Sequence, residues 1–210
     1  MKKVFFAIVF TSASFAAQAG MISGLHNTKV SSVVVKDLNY TVKGIGANGN
    51  GYTTLDNQFP IGPWMSNTST SGWLSPSKKQ DASFSNTIYN WTTTFDLTGF
   101  NTATASFSGR FAADDSAIAF LNGTQIGISA DDGNLGSMKR WSSFSSLPGA
   151  FVAGLNTLNF KVNNSGSGQT GLRVEFAESS ATAVPEPDTC AMLLTGLGLM
   201  GFMARRRKTS

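Results

Sequence analysis

Thr87-Ile88-Tyr89-Asn90-Trp91-Thr92-Thr93-Thr94-Phe95-Asp96-Leu97 alternates large and polar side chains and stops at Gly99. A period of two is the mark of a half-buried strand, because successive side chains point to opposite faces of a sheet. The same rhythm resumes at once. Thr102 to Phe111 alternates with Ala103, Ala105, Phe107 and Gly109 on one face, and Asp114-Asp115-Ser116 reads as a turn. Ala117-Ile118-Ala119-Phe120-Leu121 follows as a strand, and Thr124 to Ile128 returns beside it. Between them, Asn122-Gly123 is a two-residue hairpin turn, since both central positions accept positive φ.

Working outward, Lys29 to Val35 and Asn39 to Lys43 read as strands around a turn at Asp37, and Gly44 to Asn50 as a flexible loop. The glycines at 44, 46, 49 and 51 lack the following helix and the Lys-Ser/Thr of a phosphate loop. Tyr52 to Ser85 is long, polar and aromatic, and reads as an irregular covering segment. Downstream, Asp131-Asp132-Gly133-Asn134 is a polar loop. Leu155 to Asn163 alternates with Leu158, Phe160 and Val162 inward, and Leu172-Arg173-Val174-Glu175-Phe176 closes the set. Helical periodicity is absent from this whole region. Short strands between turn residues predict an all-β, antiparallel β-sandwich or jelly roll. The run from Arg110 through Asp114-Asp115-Ser116 to Asn122-Gly123 is similar to a segment of galactose-binding-like β-sandwich domains, which implies the same fold and a carbohydrate-binding role.

The two ends read differently. Met1-Lys2-Lys3, an apolar core from Val4 and the small-x-small triplet Ala17-Gln18-Ala19 form a signal peptide over residues 1–19, with Gly20 the first mature residue. At the other end stand Pro185-Glu186-Pro187, an uncharged run from Thr189 to Ala204, and the basic cluster Arg205, Arg206, Arg207 and Lys208. The run holds about 16 residues, roughly 24 Å as helix. That is a marginal single transmembrane span against the ~30 Å hydrocarbon core, with the basic cluster kept cytoplasmic. This tripartite tail resembles the PEP-CTERM sorting signal of Gram-negative bacteria. The resemblance implies recognition of Pro185, Glu186 and Pro187 by exosortase, a membrane-embedded transpeptidase-like enzyme, with Arg205 to Lys208 as retention signal. The expected division is therefore signal peptide 1–19, sandwich 20–178, linker 179–184 and sorting signal 185–210. The expected route passes signal peptidase and an inner-membrane intermediate to the cell surface or the extracellular space.

Charge and cysteine exclude several classes. The chain carries a net charge of +4, but six of its 16 Lys and Arg and two of its 12 acids lie in the terminal signals. Ten of each remain between Gly20 and Ala183, so the domain is neutral, and nucleic acid is not an expected partner. The one cysteine, Cys190, sits in the tail. The domain thus has no disulfide, thiol nucleophile or zinc-thiolate site, and its single histidine, His26, has no Gly-x-Ser-x-Gly beside it.

Two carboxylate pairs stand out, Asp114/Asp115 and Asp131/Asp132. They read as turn residues bonded to their own backbone, as a calcium site, or as the acid and base of a hydrolase. No other cofactor is expected. Trp64, Trp73 and Trp141 either stack on sugar rings or cap the core. The expected function is a non-catalytic module that binds extracellular polysaccharide, with biofilm matrix as the family setting. The alternatives are a self-associating structural coat and a glycan hydrolase using Asp114 or Asp132.

Overall fold

The computed structural model describes residues 19–58, 62–129, 136–184 and 187–206. The signal segment with Ala17, the pair Asp131 and Asp132, and Pro185, Glu186, Arg207 and Lys208 lie outside the described residues.

The described chain forms β1 (Ala19–Gly20), β2 (Lys36–Gly44), β3 (Ala47–Thr53), β4 (Leu74–Ser75), β5 (Thr87–Asp96), β6 (Phe100–Asp114), β7 (Ser116–Leu121) and β8 (Thr124–Ile128). A short helix α1 (Gly136–Lys139), β9 (Ser142–Ser145), β10 (Leu155–Asn164), β11 (Gly171–Ala183) and a terminal helix α2 (Pro187–Arg206) follow. Every pairing is antiparallel. The order β11-β4-β3-β2-β5-β10-β7-β8-β9-β6 closes on itself, because β6 also pairs with β11. Closure leaves no long open edge to recruit another strand.

The ring is flattened into two layers. Phe107 and Phe111 of β6 meet Phe95 of β5 and Phe160 of β10, with ring centroids 5.9 and 5.5 Å apart. Phe144, Phe151 and Phe176 complete an aromatic core in which most pairs sit edge to face. That arrangement suits the ring quadrupole and adds to simple burial. Leu158, Phe160 and Val162 point inward as their alternation predicts, and Tyr89, Trp91 and Leu121 are equally buried.

Several segments differ from their sequence reading. Lys29 to Val35 forms no strand, and Asp37 lies inside β2 rather than at a turn. Gly44 to Asn50 is not a loop: β2 and β3 form a tight hairpin there, with Gly44 opposite Ala47. Its glycines serve close approach, since a side chain at Gly44 would strike the Tyr89 ring and one at Gly51 the Trp91 ring. Ser142 to Ser145, to which the sequence assigned no element, is a strand held between β6 and β8. The stretch 179–184, expected as a linker, is paired backbone: β11 runs alongside β6 to Ala183, and the Val184 N–H donates to the Gly99 carbonyl at 2.8 Å. The turn at Asp114-Asp115-Ser116 carries the chain from β6 to β7, which pair with different neighbours, so it crosses between layers.

Gly109 marks where the layers leave no room. A Cβ there would run into the Glu175 carbonyl oxygen and the Phe144 ring, whereas nothing lies within 4 Å of one at Gly168. Gly109→Ala should lower stability by about 1–3 kcal/mol. Gly168→Ala should leave the urea midpoint nearly unchanged.

Candidate functional site

Strands β9, β6 and β11 lie side by side, and Ser143, Arg110 and Glu175 stand in one register across them. These residues face outward, away from the aromatic core. One further charge on β11, Arg173, organises the face with Glu175. Arg173 and Glu175 are two apart, so they share one side of the strand.

Arg173 is only 1% exposed, an expensive position for a guanidinium unless every donor finds a partner. Its Nε donates to Ser71 Oγ at 2.6 Å, one terminal nitrogen to the Ser66 carbonyl at 2.5 Å, and the other to Thr68 Oγ1 at 3.0 Å. All three acceptors belong to the long irregular segment between β3 and β4. That segment folds down over the sheet because the buried cation requires its oxygens. Ser71 Oγ in turn donates to Glu175 at 2.6 Å, and Arg110 donates to the other Glu175 oxygen through Nε at 2.8 Å. Burial pushes the Glu175 carboxyl up, but Ser71, Arg110 and Arg173 more than offset it and leave it below its usual range. Burial also lowers Arg173 from the usual arginine range. Trp141, half-buried, has the Arg110 and Arg173 guanidiniums 4.4 and 4.7 Å from its ring centre.

Beyond Arg110 the face opens into a groove of about 560 Å³, lined by Ser108, Arg110, Ser143, Ser145, Glu175 and Ala177 among others. The Arg110 side chain is half exposed, yet two nitrogens are fixed on Glu175. The groove therefore presents a pre-oriented planar donor beside a row of hydroxyls.

Trp64 and Trp73 are not surface platforms. They are 5% and 0% exposed and pack on each other at 4.5 Å over Ala112 and Met138. Their indole N–H groups explain why: Trp64 donates to Asp114 at 2.8 Å and Trp73 to the Met65 carbonyl at 2.8 Å. Of the three tryptophans singled out in the sequence, Trp141 alone stacks on a residue that lines the groove, Arg110.

Asp114 sits beneath Trp64, and Thr170 donates to its backbone carbonyl at 2.6 Å. Burial, with the neighbouring Asp115, pushes its carboxyl up to about 8, against a smaller opposing effect from Trp64. Asp115 instead accepts from the backbone and hydroxyl of Ser165 at 2.7 and 3.1 Å. Both carboxylates thus take partners distant in the chain, Trp64 and Ser165, where the sequence reading had them bonding their own turn backbone. Among the described residues, no group of three or more acidic, His or Cys side chains could hold a metal ion.

At the N-terminal end, Ala19 and Gly20 pair with Thr182 and Ala181. At the C-terminal end the apolar run is helical within α2, and Arg205 and Arg206 fall in its last turn. Among the described residues no helix is long and apolar enough to cross a membrane.

The molecule is thus a closed antiparallel β-sandwich with a helical tail. Residues 183–208 match the PEP-CTERM protein-sorting motif, which marks an exported protein sorted to the cell surface. No curated protein matches the chain. Among solved structures, a family 35 carbohydrate binding module from an environmental isolate is 12% identical, with 72% of this chain and 98% of that one covered and a TM-score of 0.34. A family 11 carbohydrate-binding module from Clostridium thermocellum, in complex with a beta-1,3-1,4-mixed-linked tetrasaccharide, is 14% identical over 74% of this chain and 99% of that one, at a TM-score of 0.33. At such scores the likeness is loose, and no ligand or residue is carried across from these modules.

Two outcomes follow from the buried charges. Glu175→Ala strands Arg173 and should destabilise the fold by about 3–5 kcal/mol, while Arg173→Met combined with Glu175→Leu should recover most of that loss. Asp114 holds its proton in the folded chain up to about pH 8 but loses it near pH 4 when unfolded. Its contribution is therefore full below about pH 4, falls by up to about 1.4 kcal/mol per pH unit, and levels off above pH 8. Asp114→Asn should remove that slope and raise Tm at pH 8 relative to the parent, with little change at pH 4.

Proposed function

We propose that the protein is a non-catalytic glycan-binding module, exported and then sorted through an exosortase-type enzyme, that holds polysaccharide at the cell surface. The observation that carries the reading is the open groove on the β9–β6–β11 face. Arg110 is fixed there by Glu175 and Trp141, among the hydroxyls of Ser108, Ser143 and Ser145. A planar donor held in place before binding loses little entropy when it meets a pair of sugar hydroxyls. A half-buried indole at the border offers an apolar edge to the C–H face of a pyranose. The groove carboxylate, Glu175, is committed to Ser71 and two guanidiniums, which suits a structural acceptor rather than a proton donor.

Sorting supplies the setting. Before cleavage near Pro185 to Pro187, the tail holds the chain at the inner membrane. The exposed apolar side chains of α2, among them Met192, Leu194, Leu199 and Phe202, support that reading. Polysaccharide outside the cell is the ligand class such an address places within reach.

Titration of intrinsic fluorescence against a panel of neutral and acidic polysaccharides tests the proposal. Saturable binding is expected, weakened about tenfold or more by Trp141→Ala and by Ser143→Arg, which fills the groove, while Tm is retained. Flat titrations across the panel, with concentration-dependent self-association, would instead support a structural coat protein.

A further inference from the structure

The charges of the domain are not spread evenly over its surface. Segments 19–25, 97–109, 116–129, 141–160 and 179–184 contain no charged residue. The fold gathers parts of all five at one end of the sandwich. Gly20 pairs with Ala181, the Val184 N–H donates to the Gly99 carbonyl, and the Leu97 N–H donates to the Gly154 carbonyl. Leu155 pairs with Asp96, and the Asn122 side chain donates to the Ala150 carbonyl at 2.9 Å. The opposite end collects Lys78, Lys79, Asp81, Asp114 and Asp115 around the start of β5 and β7 and the end of β6.

The uncharged end is also apolar. Met21, Leu147, Val152, Leu155 and Val184 are all exposed there, Met21 by 83% and Leu155 by 65%. They sit on separate loop tips and strand ends and form a set of projections. Asp96, a carboxylate among the described residues at this rim, is occupied by the Thr98 N–H and hydroxyl, both at 2.7 Å.

This is the end from which the sorting tail departs. β11 is paired to Ala183, Val184 is still hydrogen-bonded to the sandwich, and α2 begins at Pro187. At most about 17 Å of extended chain separates Val184 from Thr189, where the uncharged run opens. A tail seated in a bilayer therefore keeps this end close to the headgroups.

We infer that the uncharged end of the sandwich is a lipid-contacting surface, in which Met21, Leu147, Val152, Leu155 and Val184 dip into the interfacial layer while the chain is anchored. Exposed aliphatic projections gain from partial burial among lipid chains, and with Gly20 as the first residue the α-amino group is the one cation beside them. Contact therefore depends only weakly on lipid charge and on salt. The inference rests on the membrane-anchored stage of the proposed function. Anchoring by the tail makes the contact effectively intramolecular, so weak individual insertions suffice.

The full chain tests it, with Cys190→Ala removing the native thiol. Leu155→Cys or Val152→Cys, and Ser77→Cys at the opposite end, each carry a fluorophore in phosphatidylcholine vesicles containing doxyl-labelled lipid. Quenching should be several-fold stronger at 155 and 152 than at 77, and that ratio should persist in anionic lipid and at high salt. Leu155→Glu combined with Val152→Cys should lower the quenching at 152 without altering the melt of the folded domain. Chains that float with the vesicles but quench equally at both ends would overturn the inference alone. Chains that do not float would overturn the anchored stage and the inference with it. Shielding of position 155 only when the sorting enzyme is co-reconstituted would replace lipid with a protein partner.

Discussion

One buried guanidinium sets much of this molecule. Arg173 lies beneath the segment between β3 and β4 and donates to Ser66, Thr68 and Ser71. A cation with no water must have its donors met, so the segment's course is dictated by where those oxygens have to be. With that course fixed, Trp64 and Trp73 pack over Ala112, and Ser71 delivers a hydrogen bond to Glu175. Glu175 then fixes Arg110 at the surface. The outward-facing donor is thus the last link of a chain that starts with an inward-facing charge.

Buried amides do comparable work at the ends of the sandwich. Asn156, at the start of β10, accepts from the Val152 N–H and the Asn122 amide and donates to the Val152 and Gly154 carbonyls. Asn164, at the finish of the same strand, donates to the Phe84 and Ser85 carbonyls. Each side chain satisfies loop backbone that would otherwise be buried without a partner. The loops are therefore ordered by polar residues within the strand and not by their own composition. That is why Gly- and Ser-rich connections here keep defined paths.

Much of the fold was legible because it rests on local pattern. Tyr89, Trp91 and Phe95 on β5, and Leu158, Phe160 and Val162 on β10, declare their faces by alternation, and Asn122-Gly123 declares its hairpin. The β2–β3 hairpin was not legible, because the feature that allows it, room for the Tyr89 and Trp91 rings beside Gly44 and Gly51, lies some forty residues away in the chain. Ser142 to Ser145 offered only Phe144 as an inward residue, too little to mark a strand. The burial of Trp64 and Trp73 depends on Asp114 and on the course set by Arg173, partners that no local window contains. The charged pair Arg173 and Glu175 was not singled out from the sequence, although alternate charges in an otherwise apolar strand are a signal that calls for mutual partners. The sorting motif was legible for the opposite reason: it is a linear pattern, matched over residues 183–208 without any tertiary contact.

The closed ring gives the molecule a definite mechanical axis. Arg110 and Glu175, which border the groove, stand on β6 and β11, and β11 is also the strand that leaves at Ala183 towards the tail. A pull applied between the groove and the tail runs along these two strands and loads their long antiparallel ladder in shear. Many hydrogen bonds then resist together instead of opening one at a time. The aromatic interior and the β2–β3 hairpin lie off that line of force. The domain can thus act as a stiff coupling between whatever sits in the groove and whatever holds the tail, with most of its bulk left unstrained.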